Sequence, residues 1–92
     1  MKFVLEQNID IINYLVDYYF SSYPNETIVD PKKLAMFACN NGIRISANTI
    51  RRTLNELDKN DVLNNIPHIH PQTNYRNTNW LFDKNRLYQG IP

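Results

Sequence analysis

The sequence predicts a small α+β fold that is mainly helical, with three helices followed by a β-hairpin. Apolar residues recur at helical spacing in three separate segments before residue 61, and turn-forming residues separate those segments. From residue 62 onward, apolar and polar side chains alternate with a period of two, as in strands. The 92 residues suffice for one hydrophobic core and are too few for two, so we expect one domain over 1–92.

The first helix is predicted over about 4–22. An apolar stripe with alternating spacing of four and three follows its length and comprises Leu5, Ile9, Ile12, Val16, Tyr19 and Tyr23. A second apolar set lies beside that stripe and comprises Val4, Ile11, Leu15 and Tyr18. Either the helix is wrapped on two sides by its own domain, or the second set docks on a partner protein or on a second copy in a homodimer.

A short strand and a second helix are expected next. Residues 27–29 are β-branched and favour a strand. Asp30 provides a capping carboxylate before Pro31, which suits the first position of a helix over about 31–41. Asn41-Gly42 predicts that this helix ends there, with a residue in the left-handed backbone conformation. The buried face is predicted to comprise Leu34, Phe37 and Ala38.

The third helix is predicted over about 47–60, after a turn at Ile43-Arg44-Ile45 and an N-cap at Ser46. Its buried positions are Ile50, Leu54 and Leu57. Two short helices joined by a tight turn, of which the second is amphipathic, are typical of a helix-turn-helix.

A hairpin over about 62–83 is predicted to follow the third helix and to form a wing of two or three antiparallel strands. We expect Val62 and Leu63 to open its first strand. His68 and His70 alternate with Ile69, and Asn79 and Leu81 alternate with Trp80 and Phe82, as in two strands. Trp80 is interpreted as a core or interface residue whose polar tip is hydrogen-bonded. Pro67 and Pro71 each lack a backbone N–H, so the strand that contains them should lie at the sheet edge. The predicted fold is therefore a winged helix-turn-helix.

Charge is distributed unevenly along the chain, although the net charge is only +1. Residues 1–30 carry one basic and five acidic side chains, a net charge of −4, whereas residues 31–92 carry nine basic and four acidic ones, a net charge of +5. Such polarity is expected when one part of a protein meets a polyanion.

The third helix carries the candidate functional residues. Opposite its buried positions, one stripe with spacing of four, three and four comprises Asn48, Arg52, Asn55 and Lys59. Arg can pair bidentately with guanine, Asn with adenine, and Lys can contact guanine or phosphate. Further DNA contacts are predicted for Arg44, Thr49, Arg51 and, in the wing, Arg76. The competing interpretation is that these residues form an ordinary solvent-exposed helix face. The acidic residues Glu56 and Asp58 flank the stripe and argue against DNA contact, because they would repel phosphates.

Catalytic and metal-binding interpretations are disfavoured, so we expect no enzyme activity, cofactor or metal. His68 and His70 have ligand spacing but no third ligand nearby in sequence, and we interpret them as structural. Cys39 is interpreted as a small buried hydrophobe of the second helix. No glycine-rich phosphate loop occurs, since the chain contains only two glycines.

The stretch from Ile45 to Leu57, with Val62-Leu63 after it, resembles winged-helix domains. It is similar in particular to the winged helix behind the P-loop domain of certain bacterial and archaeal AAA-type ATPases. The shared pattern is approximately Ile-Ser-x-Asn-Thr-hydrophobic-Arg-x-x-Leu-x-x-Leu, and the strand Trp80-Leu81-Phe82-Asp83 follows the hairpin as in that family. The resemblance implies a winged helix that binds DNA or docks on a partner, without the ATPase portion.

Two functions are therefore predicted. The first is a module that binds double-stranded DNA, as a transcriptional regulator or a replication-initiation protein of a phage, plasmid or bacterial chromosome. The alternative is a winged helix used for protein–protein interaction, or a detached domain of a larger ATPase. With one cysteine, no secretion signal and no apolar run long enough for a bilayer, we expect a cytoplasmic protein without membrane contact.

Overall fold

A computed structural model describes residues 2–73 and 78–88, with side chains described from Glu6 onward except at Thr73. Within these ranges the chain forms three helices and a three-stranded antiparallel sheet, which confirms the predicted α+β, winged-helix-like fold. The elements in chain order are α1 (Lys2–Ser22), β1 (Ile28–Val29), α2 (Pro31–Asn40), α3 (Ala47–Lys59), a 3-10 helix (Leu63–Asn65), β2 (Ile69–Thr73) and β3 (Thr78–Asp83).

The ends of α2 and α3 are fixed by the residues that the sequence indicated. Asp30 Oδ1 accepts a hydrogen bond from the Lys33 backbone N–H (2.7 Å), and Ser46 Oγ accepts one from the Thr49 N–H (3.0 Å). Gly42 adopts a φ of 77°, the left-handed conformation predicted for the stop after α2. These caps fix where α2 ends and α3 begins, and so set the helix-turn-helix geometry.

The core is one cluster around α1, which packs against α2 and α3. Ile12, Val16 and Tyr19 of the predicted stripe are buried, but Tyr23 lies beyond the helix end and is 46% exposed. Leu15 is completely buried and Ile11 is partly buried against the core. Two members of the second apolar set are therefore covered by the domain itself, which corrects the interpretation that Ile11 and Leu15 form part of an open docking face. Tyr18 is 37% exposed, and Val4 and Leu5 lie outside the described side chains.

The predicted buried faces of α2 and α3 are confirmed, since all six predicted side chains are buried: Leu34, Phe37, Ala38, Ile50, Leu54 and Leu57. Cys39, predicted to be buried, is exposed. It follows Ala38 by about 100° of helix rotation, and this step carries it off the narrow face that contacts the core.

The sheet has the strand order β1-β3-β2, so β2 is an edge strand, as its proline predicts. Pro71 lies within β2 opposite Trp80, whereas Pro67 precedes the strand. Ile69, Trp80 and Phe82 are buried. The short β1 pairs with the far end of β3, with Ile28 opposite Asp83.

The segment after α3 differs from the prediction. Val62 and Leu63 do not open a strand, because the chain turns at Asp61 (φ 57°) and forms a 3-10 helix over Leu63–Asn65. Leu63 in this 3-10 helix and Ile66 directly after it are both buried, and their spacing of three fits 3-10 geometry better than the period of two that a strand needs. In the described residues, no helix has the length and apolar character to cross a membrane.

Candidate nucleic-acid interface

Helix α3 is held firmly on its inner side. Ile50, Leu54 and Leu57 have no solvent exposure, and Thr53 beside them is also buried. The Thr53 hydroxyl donates to the Thr49 carbonyl (2.8 Å) and accepts from Asn8 Nδ2 of α1 (3.2 Å). The rotation of α3 about its axis is thereby fixed, and so is the set of side chains that faces outward.

The outward stripe consists of exposed residues. Asn48, Arg52, Asn55 and Lys59 are all exposed, opposite the buried positions. Two of them have partners within the domain. Arg51 Nη1 donates to Asn48 Oδ1 (3.3 Å), and the Trp80 indole Nε1–H donates to Asn55 Oδ1 (3.0 Å). Arg52 and Lys59 extend from the same face without a hydrogen bond to the described part of the chain.

A groove of about 700 Å³ separates α3 from the sheet and reaches the start of α2. Arg51 and Asn55 line it on the α3 side. The other lining residues come from the N-terminus of α2 and from β2 and β3, namely Asp30, Pro31, Gln72, Thr78, Asn79, Trp80 and Leu81. The lining thus combines one cation, one carboxylate and several neutral polar groups.

The other predicted DNA-contact residues have different surroundings. Arg44 is exposed in the turn between α2 and α3. Thr49 is half-buried, and its hydroxyl lies 2.9 Å from Ser46 Oγ at the helix cap, so it is already engaged within the helix start. Arg76, at the predicted wing tip, lies outside the described residues.

The electrostatics of this face favour an anionic ligand. Arg44, Arg51, Arg52 and Lys59 are exposed on or beside the stripe, and Glu56 and Asp58 are exposed on its two flanks. Because α3 turns by about 100° per residue, these two carboxylates lie to either side of the line joining Asn48 to Lys59. A phosphate backbone can approach the centre of the stripe while these flanking charges stay in solvent.

The contact between Trp80 and Asn55 is the feature that the sequence analysis missed. Trp80 was predicted to be a core or interface residue, and a buried indole N–H usually requires an acceptor. Asn55 is the acceptor that α3 offers, but its predicted outward position gave no reason to pair it with the sheet. The wing and the third helix are linked at this point by a polar contact between side chains.

His68 and His70 both contact Arg86, another residue that the sequence analysis did not single out. Arg86 Nη1 donates to His70 Nε2 (2.9 Å), and His68 Nδ1 lies 3.0 Å from the Arg86 carbonyl oxygen. Both contacts attach the segment after β3 to the start of β2. Nothing in the described ranges forms a group of three or more metal-ligating side chains.

Comparison of the chain with protein-family models, with curated proteins and with solved structures finds no match.

Proposed function

We propose that this domain binds double-stranded DNA, with α3 in the major groove and the wing against the adjacent backbone. The observation that carries the proposal is the exposed stripe Asn48, Arg52, Asn55 and Lys59 on a helix whose rotation is fixed by its buried side. Its guanidinium, amide and ammonium groups match the acceptors and donors that base edges present in a major groove. A cytoplasmic regulator of transcription or of replication initiation is the role that this activity suits.

The charge distribution supports the same proposal. The acidic excess belongs to residues 1–30, which contain α1, whereas the basic excess belongs to the part that contains the turn, α3 and the wing. A protein with this polarity can orient its basic face towards DNA while its acidic part is repelled, although its total charge is close to zero.

The direct test is a mobility-shift titration with random duplex DNA at about 50 and 200 mM salt. Binding through several phosphate contacts should weaken steeply between the two salt concentrations, because each neutralised phosphate releases a condensed counterion. A parent protein that shifts no duplex at the lower salt concentration would refute the proposal.

Two variants separate base contacts from phosphate contacts. Arg52→Ala should cost about 1–3 kcal/mol on the preferred duplex and relax the preference at one base pair, if Arg52 makes a bidentate contact to guanine. Lys59→Ala should weaken binding to all duplexes about equally and make the salt dependence shallower by about one counterion.

Lys84→Ala is the matched control for both variants. It removes one exposed positive charge just after β3, at the end of the strand opposite its connection to β2. Its affinity for DNA should stay close to that of the parent. If Arg52→Ala and Lys59→Ala bind as tightly as this control, and all three melt like the parent, the stripe is an ordinary solvated face.

A second function, protein–protein interaction, is favoured by three exposed tyrosines, Tyr14, Tyr18 and Tyr23, whose rings are linked through the buried ring of Phe37. Tyr14 and Tyr18 have ring centroids 5.8 Å apart, Tyr18 and Phe37 5.0 Å, and Phe37 and Tyr23 5.9 Å. Tyr14 is 57% exposed. Exposed tyrosines are enriched at protein interfaces.

For this second function, the expected result is self-association of the parent in sedimentation velocity at micromolar concentration. Tyr14→Ser should shift the protein towards monomer. A parent that sediments as a monomer throughout that range would exclude the homodimer. The DNA titration would be unaffected by that outcome.

A further inference from the structure

We infer that Trp80 fixes the side-chain amide of Asn55 with its oxygen towards the sheet and its NH2 group free for DNA, and that Asn55 thereby selects guanine over adenine. This inference rests on the proposed function and names a specificity-determining residue together with its positioning residue. It starts from the 3.0 Å contact between Trp80 Nε1 and Asn55 Oδ1.

The chemistry of the two groups decides the orientation of the amide. An indole N–H can only donate, so the Asn55 atom that meets it must be the oxygen. The amide nitrogen, with its two N–H donors, is then the group left for a ligand. Among the described residues it has no hydrogen-bond partner, while the side chain as a whole is exposed.

Burial of Trp80 makes this orientation persistent. Trp80 is only 3% exposed, and its ring belongs to the hydrophobic core. If Asn55 rotated its amide, the buried indole N–H would lose its acceptor and meet the NH2 group instead, which costs the desolvation free energy of an unpaired donor. Trp80, a residue buried in the core, therefore determines which end of the Asn55 amide faces the DNA.

An asparagine whose amide oxygen is held towards the sheet recognises a different base from one whose amide turns freely. Bidentate recognition of adenine needs the amide oxygen to accept from N6 and the nitrogen to donate to N7. In this domain one of the two lone pairs of that oxygen accepts from Trp80, which holds the oxygen towards the sheet and so disfavours the bidentate pairing with adenine. Guanine presents two neighbouring acceptors, O6 and N7, in the major groove, and it is the base edge that suits two N–H donors.

The test is selection of duplexes from a randomised library by the full chain, followed by sequencing. Asn55→Asp keeps an acceptor for Trp80 but replaces both donors by an oxygen. Trp80→Phe keeps an aromatic ring in the core but removes the indole N–H, so the Asn55 amide can turn freely. Asn25→Asp is the control for added negative charge, because it lies in the exposed turn before β1, at the end of the sheet opposite the connection between β2 and β3.

We expect the parent to prefer guanine by about fivefold or more at one position of its motif. Asn55→Asp should replace guanine by cytosine there, since cytosine N4 donates to a carboxylate. Trp80→Phe should admit adenine beside guanine at that position and leave the rest of the motif unchanged. Asn25→Asp should select the parent's motif.

Three results would overturn the inference while leaving DNA binding intact. They are an adenine preference in the parent that depends on Asn55, a parent motif that Asn55→Asp leaves unaltered, and a guanine preference that survives unchanged in Trp80→Phe. If Trp80→Phe is too unstable for selection, the base that the parent selects at the position altered by Asn55→Asp decides, because a freely turning asparagine pairs with adenine and a fixed one with guanine. A parent that binds no duplex at low salt instead refutes the proposed function, and with it this inference.

Discussion

At the scale of single residues, Tyr19 couples the core to the chain that follows α1. Its ring packs edge-on against Phe20 and Phe37, with centroid separations of 5.6 and 5.3 Å. Its hydroxyl donates to Glu26 Oε1 in the turn before β1. Burial, followed by the hydrogen bond and negative charge of Glu26, raises the pKa of Tyr19 from 10.0 to about 12.

The raised pKa of Tyr19 predicts a loss of stability in alkali. The folded state holds the phenol proton more tightly than the unfolded chain, so its contribution is complete below pH 10 and declines as the pH rises towards about 12. Urea unfolding of the parent should therefore show a falling free energy of unfolding across this range. Tyr19→Phe should flatten that decline.

Tyr14→Phe is the control for this experiment, because it removes an exposed phenol from the same helix. This variant should retain the parent's alkaline decline. An equally steep decline in Tyr19→Phe would show that another group causes it.

Residue identity alone predicted some side-chain environments and not others. The wheel of α3 predicted which residues face out, because Ile50, Leu54 and Leu57 leave only one side of the helix for the core. It could not reveal that Asn55 accepts a bond from Trp80, since that contact joins residues 25 positions apart. Cys39 was wrongly predicted as buried. Its apolar character suggested burial, but its angular position on α2 places it off the face that contacts the core.

At the scale of elements, the turn between α2 and α3 depends on Gly42. Its φ of 77° is one that side chains with a Cβ rarely adopt, although no atom lies within 4 Å of the position that a Cβ would take. Gly42→Ala should thus lower the free energy of unfolding by about 1 kcal/mol through backbone strain alone. Denaturant unfolding measures this change.

Gly42→Asn provides the matched comparison, because asparagine tolerates the left-handed region better than alanine does. It should lose less stability than Gly42→Ala. If alanine proves as stable as glycine, the conformation of this turn does not constrain the angle between the helices.

The elements that the sequence predicted well are those whose ends are set locally. Asp30 and Ser46 cap helices through contacts only three residues away, so the caps are visible in the sequence. The segment at Val62 and Leu63 was predicted wrongly because two β-favouring residues suggested a strand. Its actual structure depends on burying Leu63, Ile66 and Ile69 together, and that requirement comes from the rest of the domain.

At the scale of the whole molecule, α1 illustrates why partner surfaces are hard to predict from sequence. Both apolar sets of α1 contribute described side chains to the core, since α2 packs on it along with α3. Periodicity shows how much apolar surface a helix carries but not how many neighbours cover it. Among the described side chains of α1, the large hydrophobic ones that stay exposed are the aromatic residues Tyr14 and Tyr18.

The single core predicts that the domain unfolds as one unit. The buried residues of all three helices and of the sheet belong to the same cluster, in which Leu54 of α3 has no solvent exposure. Leu54→Ala should leave a cavity and cost about 2–5 kcal/mol. For a domain of this size that loss corresponds to a melting temperature lower by roughly 10–30 °C.

The measurement is thermal unfolding followed by far-ultraviolet circular dichroism and by Trp80 fluorescence. Both probes should fall together in the parent and shift together in Leu54→Ala, because α3 and the sheet share the core. Leu87→Ala, which truncates a side chain that is 66% exposed, should change stability by no more than about 0.5 kcal/mol. If the transition followed by circular dichroism shifts in Leu54→Ala and the transition followed by Trp80 fluorescence does not, the sheet is stable without α3. The fixed geometry between Trp80 and Asn55 would then have to come from the sheet alone.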